Sequence, residues 1–332
     1  MRAIMAGTWV QRSATQVGRG PAGGRWDAAV RMAAAVLLVV WMSLPWIAQA
    51  VAPPDEREAV IPTSGPGQGD TAVNREILLA GYIAQPYYYR SDVHLKQAGG
   101  TDAILKRMGW DGDAIHPPID GGVRSVQWWH NVGFMVDFLH NKAIARLGKG
   151  AHGRKAARPI IEEVEVAGTM DGKPAPSRLR LPDRFERFEF THGHNVLLFT
   201  PMVQLGYVSP RIRPYFGLGG GFAIPHVEVW FPGDTSAKRT NEYQLAGPAA
   251  QLVAGIELRT GRMSYFLEYK FTWAMIWGAL TGNQSWMNFN MPGDLLRQLG
   301  RWWRGEAPRL GAFTTRLGAH QIAVGAGYWW QR

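Results

Sequence analysis

From Glu76 onward the chain alternates apolar with polar or small residues at a period of two, the spacing of a β-strand with unlike faces. Between 263 and 275, Tyr265, Leu267, Tyr269, Phe271 and Trp273 fall on one face, while Ser264, Glu268, Lys270 and Thr272 fall on the other. Near the end of the chain, Ile322, Val324, Ala326, Tyr328 and Trp330 alternate with Gln321, Ala323, Gly325 and Gly327. Val132, Phe134, Val136 and Phe138 against Gly133, Met135 and Asp137 give a third example. Eight runs of this kind predict strands near 77–88, 120–129, 132–142, 194–207, 213–229, 243–258, 263–275 and 316–330. Their connections alternate in length. Tight turns are predicted at His130-Asn131, Ser209-Pro210-Arg211 and Thr260-Gly261-Arg262, and long loops at 89–119, 143–193, 230–242 and 276–315.

Consecutive antiparallel strands whose aromatic face looks outward predict an all-β fold, an eight-stranded antiparallel up-and-down transmembrane β-barrel. A soluble eight-stranded barrel is the competing reading. It would have to present a Tyr-Leu-Tyr-Phe-Trp ladder to water, which soluble proteins avoid. Short turns at one end and long loops at the other predict a bacterial outer-membrane location, with the loops outside and both termini in the periplasm.

Composition fits this pattern. The 332 residues are 46% hydrophobic and 19% charged, with 40 Gly and 15 Trp, and mean hydropathy is only −0.17. Apolar residues are therefore spread through short segments. Past the N-terminal region no window holds the roughly 20 apolar residues of a spanning helix. Cysteine is absent, which removes disulfides, thiolate nucleophiles and cysteine-ligated metals.

The N-terminus reads as a targeting segment. Arg25 and Arg31 precede an apolar run from Ala33 to Trp41, and Ala48-Gln49-Ala50 has the small-residue pattern of a cleavage site. The predicted organisation is a cleavable signal peptide over 1–50, with Met32 as an alternative start, then a disordered periplasmic lead-in over 51–75 and the barrel over 76–332. The lead-in is rich in Pro, Gly and Asp.

The lumen of an eight-stranded barrel is filled by side chains, so transport is not expected. Asp137, Gln204, Gln251, Glu257, Glu268 and Lys270 are predicted to face inward, where charges normally pair with one another. Histidine is distributed unevenly: of nine, only His130 falls in a predicted short turn, and the other eight lie toward the long loops. His226 and Glu228 share a strand face and are candidates for a general base pair or for metal ligation. No HExxH or comparable metal spacing occurs. The long loops are basic, with eleven Lys or Arg against seven acids in 142–190. Arg297, Arg301 and Arg304 surround Leu299, Trp302 and Trp303. Phosphorylated glycolipid is the matching partner at a bacterial surface, whereas a secretory signal argues against nucleic acid.

The segments Pro214-Tyr215-Phe216-Gly217-Leu218-Gly219-Gly220-Gly221, Ile224-Pro225-His226-Val227-Glu228, Glu242-Tyr243-Gln244-Leu245-Ala246-Gly247-Pro248-Ala249-Ala250-Gln251 and Phe266-Leu267-Glu268-Tyr269-Lys270 resemble the lipid A oxidase family of rhizobial-type outer membranes. Val136-Asp137-Phe138-Leu139-His140-Asn141-Lys142, Gly109-Trp110-Asp111-Gly112 and Phe188-Glu189-Phe190-Thr191 extend the resemblance across 76–330. It implies an eight-stranded outer-membrane oxidoreductase that uses O2 to oxidise the proximal glucosamine of lipid A to aminogluconate. On that expectation a base drawn from His226, Glu228, Asp137 or His140 works on a sugar near the upper lumen, and Arg124, Lys142 and Arg316 meet its phosphates. Glu268 and Lys270 are further catalytic and substrate-binding candidates. O2 chemistry calls for a cofactor, and a divalent metal held by histidine and carboxylate, such as His226 and Glu228, is the expected supplier. Two other classes stand beside this one. A non-catalytic OmpA-like surface barrel would bind lipopolysaccharide or a partner through its loops. An acyl transferase or deacylase would need a Ser beside a His and an acid, which the sequence does not display.

Overall fold

The computed structural model describes residues 75–156, 159–206, 211–285 and 290–331. The predicted signal peptide, nearly all of the predicted lead-in and the Ser209-Pro210 part of one predicted turn lie outside the described residues.

Eight long strands form the frame: β1 (Arg75–Tyr88), β2 (Gly121–Trp129), β3 (Val132–Ala145), β4 (Arg187–Gln204), β5 (Ile212–Ala223), β6 (Gly247–Thr260), β7 (Met263–Leu280) and β8 (Gly311–Gln331). Each pairs antiparallel with the next, and β8 pairs back on β1 from Glu76↔Gln331 to Tyr88↔Ala319. The result is a ring of eight strands. Closure satisfies the backbone groups that an open sheet edge would leave free. Burial alternates strictly along β7, with Phe266, Glu268, Lys270 and Thr272 buried and Tyr265, Leu267 and Tyr269 exposed, as the sequence pattern predicts. Leu79, Ile83, Val123, Val132, Phe134, Leu218, Ile256, Ile322 and Val324 continue that exposed apolar belt around the ring. Small inward residues are obligatory in places: a Cβ on Gly325 would come within 2.2 Å of the Phe266 ring.

Each predicted strand has a counterpart, but β4 begins earlier, at Arg187, β7 runs on to Leu280 and β8 begins at Gly311, and two of the predicted runs are interrupted for a physical reason. The run 213–229 is broken at Ile224-Pro225, since proline cannot donate to the ladder, and a separate strand, His226–Trp230, stays paired with the start of β4 on one side and pairs with Thr240–Tyr243 in place of β6 on the other. The run 243–258 is likewise interrupted before β6, where Gly247 has φ +156°. The long loops also hold more order than expected. Ser91–Gln97 pairs with the start of β8 and with Thr101–Met108, which pairs in turn with Glu163–Met170. A helix, α1 (Met291–Trp303), lies in the last loop. Its Asp294 and Gln298 carbonyl-type oxygens accept the backbone N–H groups of Tyr243 and Leu245 at 2.9 and 2.8 Å, and Arg301 meets Glu242 at 3.0 Å.

The interior is filled along its length. At the short-turn end, Arg213 and Arg259 donate to Glu76, and Arg259 and Ser264 donate to Glu257. Above them Arg124 Nη1 lies 2.7 Å from Glu268 Oε2, Lys270 is ion-paired with Asp137, and the Tyr215 and Tyr82 hydroxyls donate to Glu268 and Asp137. Between Leu78, Arg124 and Glu257 the remaining void is about 10 Å³, room for one water at most. Toward the long-loop end the interior turns aromatic. Trp110 and Phe188 have ring centroids 5.3 Å apart, and Phe188 and Phe313 4.9 Å, packed with Phe190, Val93, Leu95 and Leu105.

Candidate functional site

The site begins with an irregularity in the β3–β4 ladder. His194 pairs with Asn141 and Phe190 with Ala143, so β4 advances four residues while β3 advances two. The surplus forms a bulge at Thr191, His192 and Gly193, and bulges of this kind re-aim side chains. Gly193 sits at φ +123°, where a Cβ would lie 2.1 Å from the Asn195 amide oxygen. That oxygen is in turn 2.8 Å from His140 Nδ1.

The bulge delivers His192 to Glu228 on the neighbouring strand His226–Trp230. His192 Nδ1 and Glu228 Oε1 are 2.6 Å apart, His226 Nδ1 is 3.2 Å from the same oxygen, and the Thr191 hydroxyl donates to it at 2.9 Å. The other Glu228 oxygen accepts from Arg187 at 2.8 Å, and Arg187 also lies 3.2 Å from Glu189. His152 closes the group from a different loop. It sits in a single turn, Ala151–Gly153, at φ +56°, with its ring 4.5 Å from that of His192. One potential ligand atom from each of His152, His192 and Glu228 lies within 4.8 Å of the other two.

The register shows which face this cluster occupies. Val132 and Phe134 of β3 are exposed, so His140 and Ile144, on the same parity, also lie on the outside of the wall. Ile144 is paired with Glu189, and Glu189 with Glu228. Paired residues share a face, so Glu189, Glu228, His226 and His140 all stand on the outer wall. Beside them runs a groove of about 530 Å³ lined by Tyr87, Ile144, Arg146, Lys149, Arg154 and Lys155 among others, which reaches Ala151 next to His152. Arg146 is paired with Asp111 at 2.9 Å, while Lys149, Arg154 and Lys155 are exposed.

Burial makes the electrostatics uneven. It would raise the Glu228 carboxyl, but hydrogen bonds from His192 and His226 overcome it and hold Glu228 well below the usual carboxylate range. Burial and the adjacent Glu228 push Glu189 up to about 8. Burial, reinforced by His192, lowers His152 to about 4, so its ring is neutral at pH 7 with a lone pair available to a cation.

The residues expected from sequence separate into two places. His226, Glu228 and His140 belong to this wall cluster. Asp137, Glu268, Arg124 and Lys270 do not: they interlock in the ring interior, all almost wholly buried. Arg124 therefore is not at the outer rim, because the β2 register turns it inward opposite Asp137. Lys142 is also buried, its ammonium held by Asp120 and the Asp113 carbonyl. Arg316 is exposed, but on β8, four strands from β4 by either route around the ring. The expectation of a sugar in the upper lumen is corrected as well, since the aromatic core fills that space. The expected ligand pair His226 and Glu228 changes too: His226 orients Glu228, while His152 and His192 stand nearest to it as potential co-ligands. His152, His192 and Arg187 were not singled out from the sequence, and Glu189 and Thr191 entered only within the segment Phe188-Glu189-Phe190-Thr191, with no role of their own. The run Thr191-His192-Gly193-His194 was the available signal, two histidines flanking a glycine inside a strand.

No family model matches the chain, and no curated protein matches it. Among solved structures it is similar to Ail, the attachment invasion locus protein of Yersinia pestis, solved with the heparin analogue sucrose octasulfate, at 10% identity and a TM-score of 0.29. That alignment covers 77% of this chain and 99% of the other. A Pseudomonas aeruginosa FadL homologue aligns at 9% identity and a TM-score of 0.19, over 77% of this chain and 90% of the other. The CymD monoaromatic hydrocarbon channel aligns at 7% identity with the same TM-score, over 77% and 88%.

Proposed function

We propose that this chain is an outer-membrane β-barrel enzyme that oxidises the proximal glucosamine of lipid A to aminogluconate with O2, and that it does so on the outside of its wall. The exposed apolar belt supports residence in a bilayer, and the filled interior argues against transport. The observation that carries the reading is the position of the cluster: His140, His192 and the wholly buried His226 and Glu228 lie on the outer side of the wall, and the basic groove, where a lipid headgroup in the same leaflet would lie, reaches Ala151 beside the His152 ring that touches His192. A lipid substrate then reaches the site sideways without leaving the membrane. The exposed cations Lys149, Arg154 and Lys155 suit an anionic group carried elsewhere on the headgroup than the free anomeric carbon.

The chemistry balances as a two-electron oxidation. The anomeric carbon of a free hemiacetal gives up its C–H hydrogen with two electrons, and its hydroxyl gives up a proton. O2 accepts these and becomes H2O2, and the lactone left behind adds water to give the aminogluconate. His140 is the candidate to take the hydroxyl proton, while Glu228, engaged on both oxygens by its neighbours, orients His192. Lipid A from cells with and without the chain, grown in air, tests the reading by mass spectrometry. One added oxygen atom, lost in Glu228→Gln, supports it. An unchanged profile in cells that display the folded barrel would sink it in favour of a non-catalytic lipopolysaccharide-binding barrel.

A further inference from the structure

The environment of Glu228 Oε1 is over-subscribed. One carboxylate oxygen faces His192 Nδ1, His226 Nδ1, the Thr191 hydroxyl and the His192 backbone N–H, at 2.6, 3.2, 2.9 and 3.3 Å. An oxygen with two lone pairs cannot serve four donors well. A cation taking the place of the His192 proton would relieve that crowding.

The elements around it are built to converge there. His192 arrives on a bulge, and His152 arrives on a turn whose positive φ is uncommon for a residue with a side chain. Arg187, Thr191 and His226 fix the Glu228 carboxylate in the manner of groups that orient metal ligands. Two imidazoles and one carboxylate on one side of a metal are the ligand set of non-haem iron sites that leave coordination positions open. The solvent-facing side of His152 and the groove beyond Ala151 supply the open side.

We propose that His152, His192 and Glu228 bind a single Fe(II) ion on the outer wall, with open positions toward the groove. The inference deepens the reading above, since such a centre gives O2 a redox partner beside the lipid headgroup, but iron binding is measurable without any lipid A.

The test uses the full-length refolded barrel in detergent under anaerobic conditions, titrated with Fe(II) and then exposed to nitric oxide. One iron per chain and the high-spin signal of an iron–nitrosyl are expected. His192→Ala and Glu228→Gln should weaken binding by at least tenfold. His152→Gly is the sharper variant, because glycine prefers the positive φ at this turn and the fold should be kept while a ligand is lost. His94→Ala and His130→Ala, at histidines that belong neither to the cluster nor to the groove lining, should bind iron as the parent does. Sub-stoichiometric iron, preference for Zn(II) with no Fe(II) bound, or unchanged binding in His152→Gly and His192→Ala overturns the proposal. Iron binding with an unaltered lipid A profile would instead defeat the oxidase reading and leave the metal site standing.

Discussion

Ile144 and Glu189 face one another across the β3–β4 ladder, and through that pairing the histidine cluster is placed on the outside of the ring. Glu189 then fixes the face of Glu228, and Ile144 carries the same wall into the basic groove. The histidine cluster and the basic groove thus share one continuous outer surface, while the interior ion pairs hold the ring together.

The groove makes a charge prediction. Lys149 and Lys155 are exposed on its lip, and each cation near an anionic lipid surface contributes about 1 kcal/mol. Reversing both, Lys149→Glu with Lys155→Glu, should weaken binding to lipid A in mixed micelles by at least tenfold at low salt. The difference should shrink as salt is raised, because exposed charges are screened. Equal binding by parent and variant at low salt would remove the groove from the substrate path.

Gly193 tests the bulge. At φ +123° any side chain is strained, and the added carbon of Gly193→Ala would collide with the Asn195 amide that faces His140. The expected result is a barrel that still folds and shows heat-modifiable mobility in gels, but loses most lipid A oxidation as His192 and His140 shift. Full activity in Gly193→Ala would mean that the bulge does not position the site.

Much of the ring was legible because one face of each strand is apolar, so a period of two reports both strand and side. Glu268 and Lys270 could be placed inside on that ground alone. Alternation carries no information across an irregularity, however. The two-residue surplus at Thr191–Gly193 keeps the parity of β4 on either side but takes its own side chains out of the alternation, so His192, on the inward parity of His194, meets Glu228 on the outer wall. Arg124 was expected at the rim for a related reason: its partner Glu268 is 144 positions away, and only the closed ring brings them together. His152 belongs to a loop with no periodic pattern, so its approach to His192 is a tertiary fact. The strands Ser91–Gln97 and Thr101–Met108 passed as loop because they are short and hold several polar residues.

The interior ion pairs predict an asymmetry between single and double variants. Removing Glu268 alone leaves the Arg124 guanidinium buried without its main counter-charge, at a cost of about 3–5 kcal/mol, whereas replacing both partners with apolar residues of similar volume costs far less. Glu268→Leu should therefore lower the urea midpoint markedly, and Arg124→Met added to it should restore most of the loss. Additive losses in the pair would show that Arg124 is stabilised chiefly by its packing on the Phe266 ring, 3.7 Å from the guanidinium carbon.

The apolar belt can be tested at Leu267, whose cross-strand partners Ile256 and Val324 are also exposed. If this face meets water, Leu267→Arg is an ordinary surface change worth within about 0.5 kcal/mol. If it meets lipid chains near the bilayer midplane, the same change costs roughly 2–4 kcal/mol. Unfolding in urea from phospholipid vesicles separates the two, provided a second arginine is placed where the wall rises above the belt, as in Lys149→Arg. A drop confined to Leu267→Arg is the expected outcome. Loss of stability below 0.5 kcal/mol at Leu267 would take the ring out of the membrane, and with it the sideways route of a lipid substrate to Glu228.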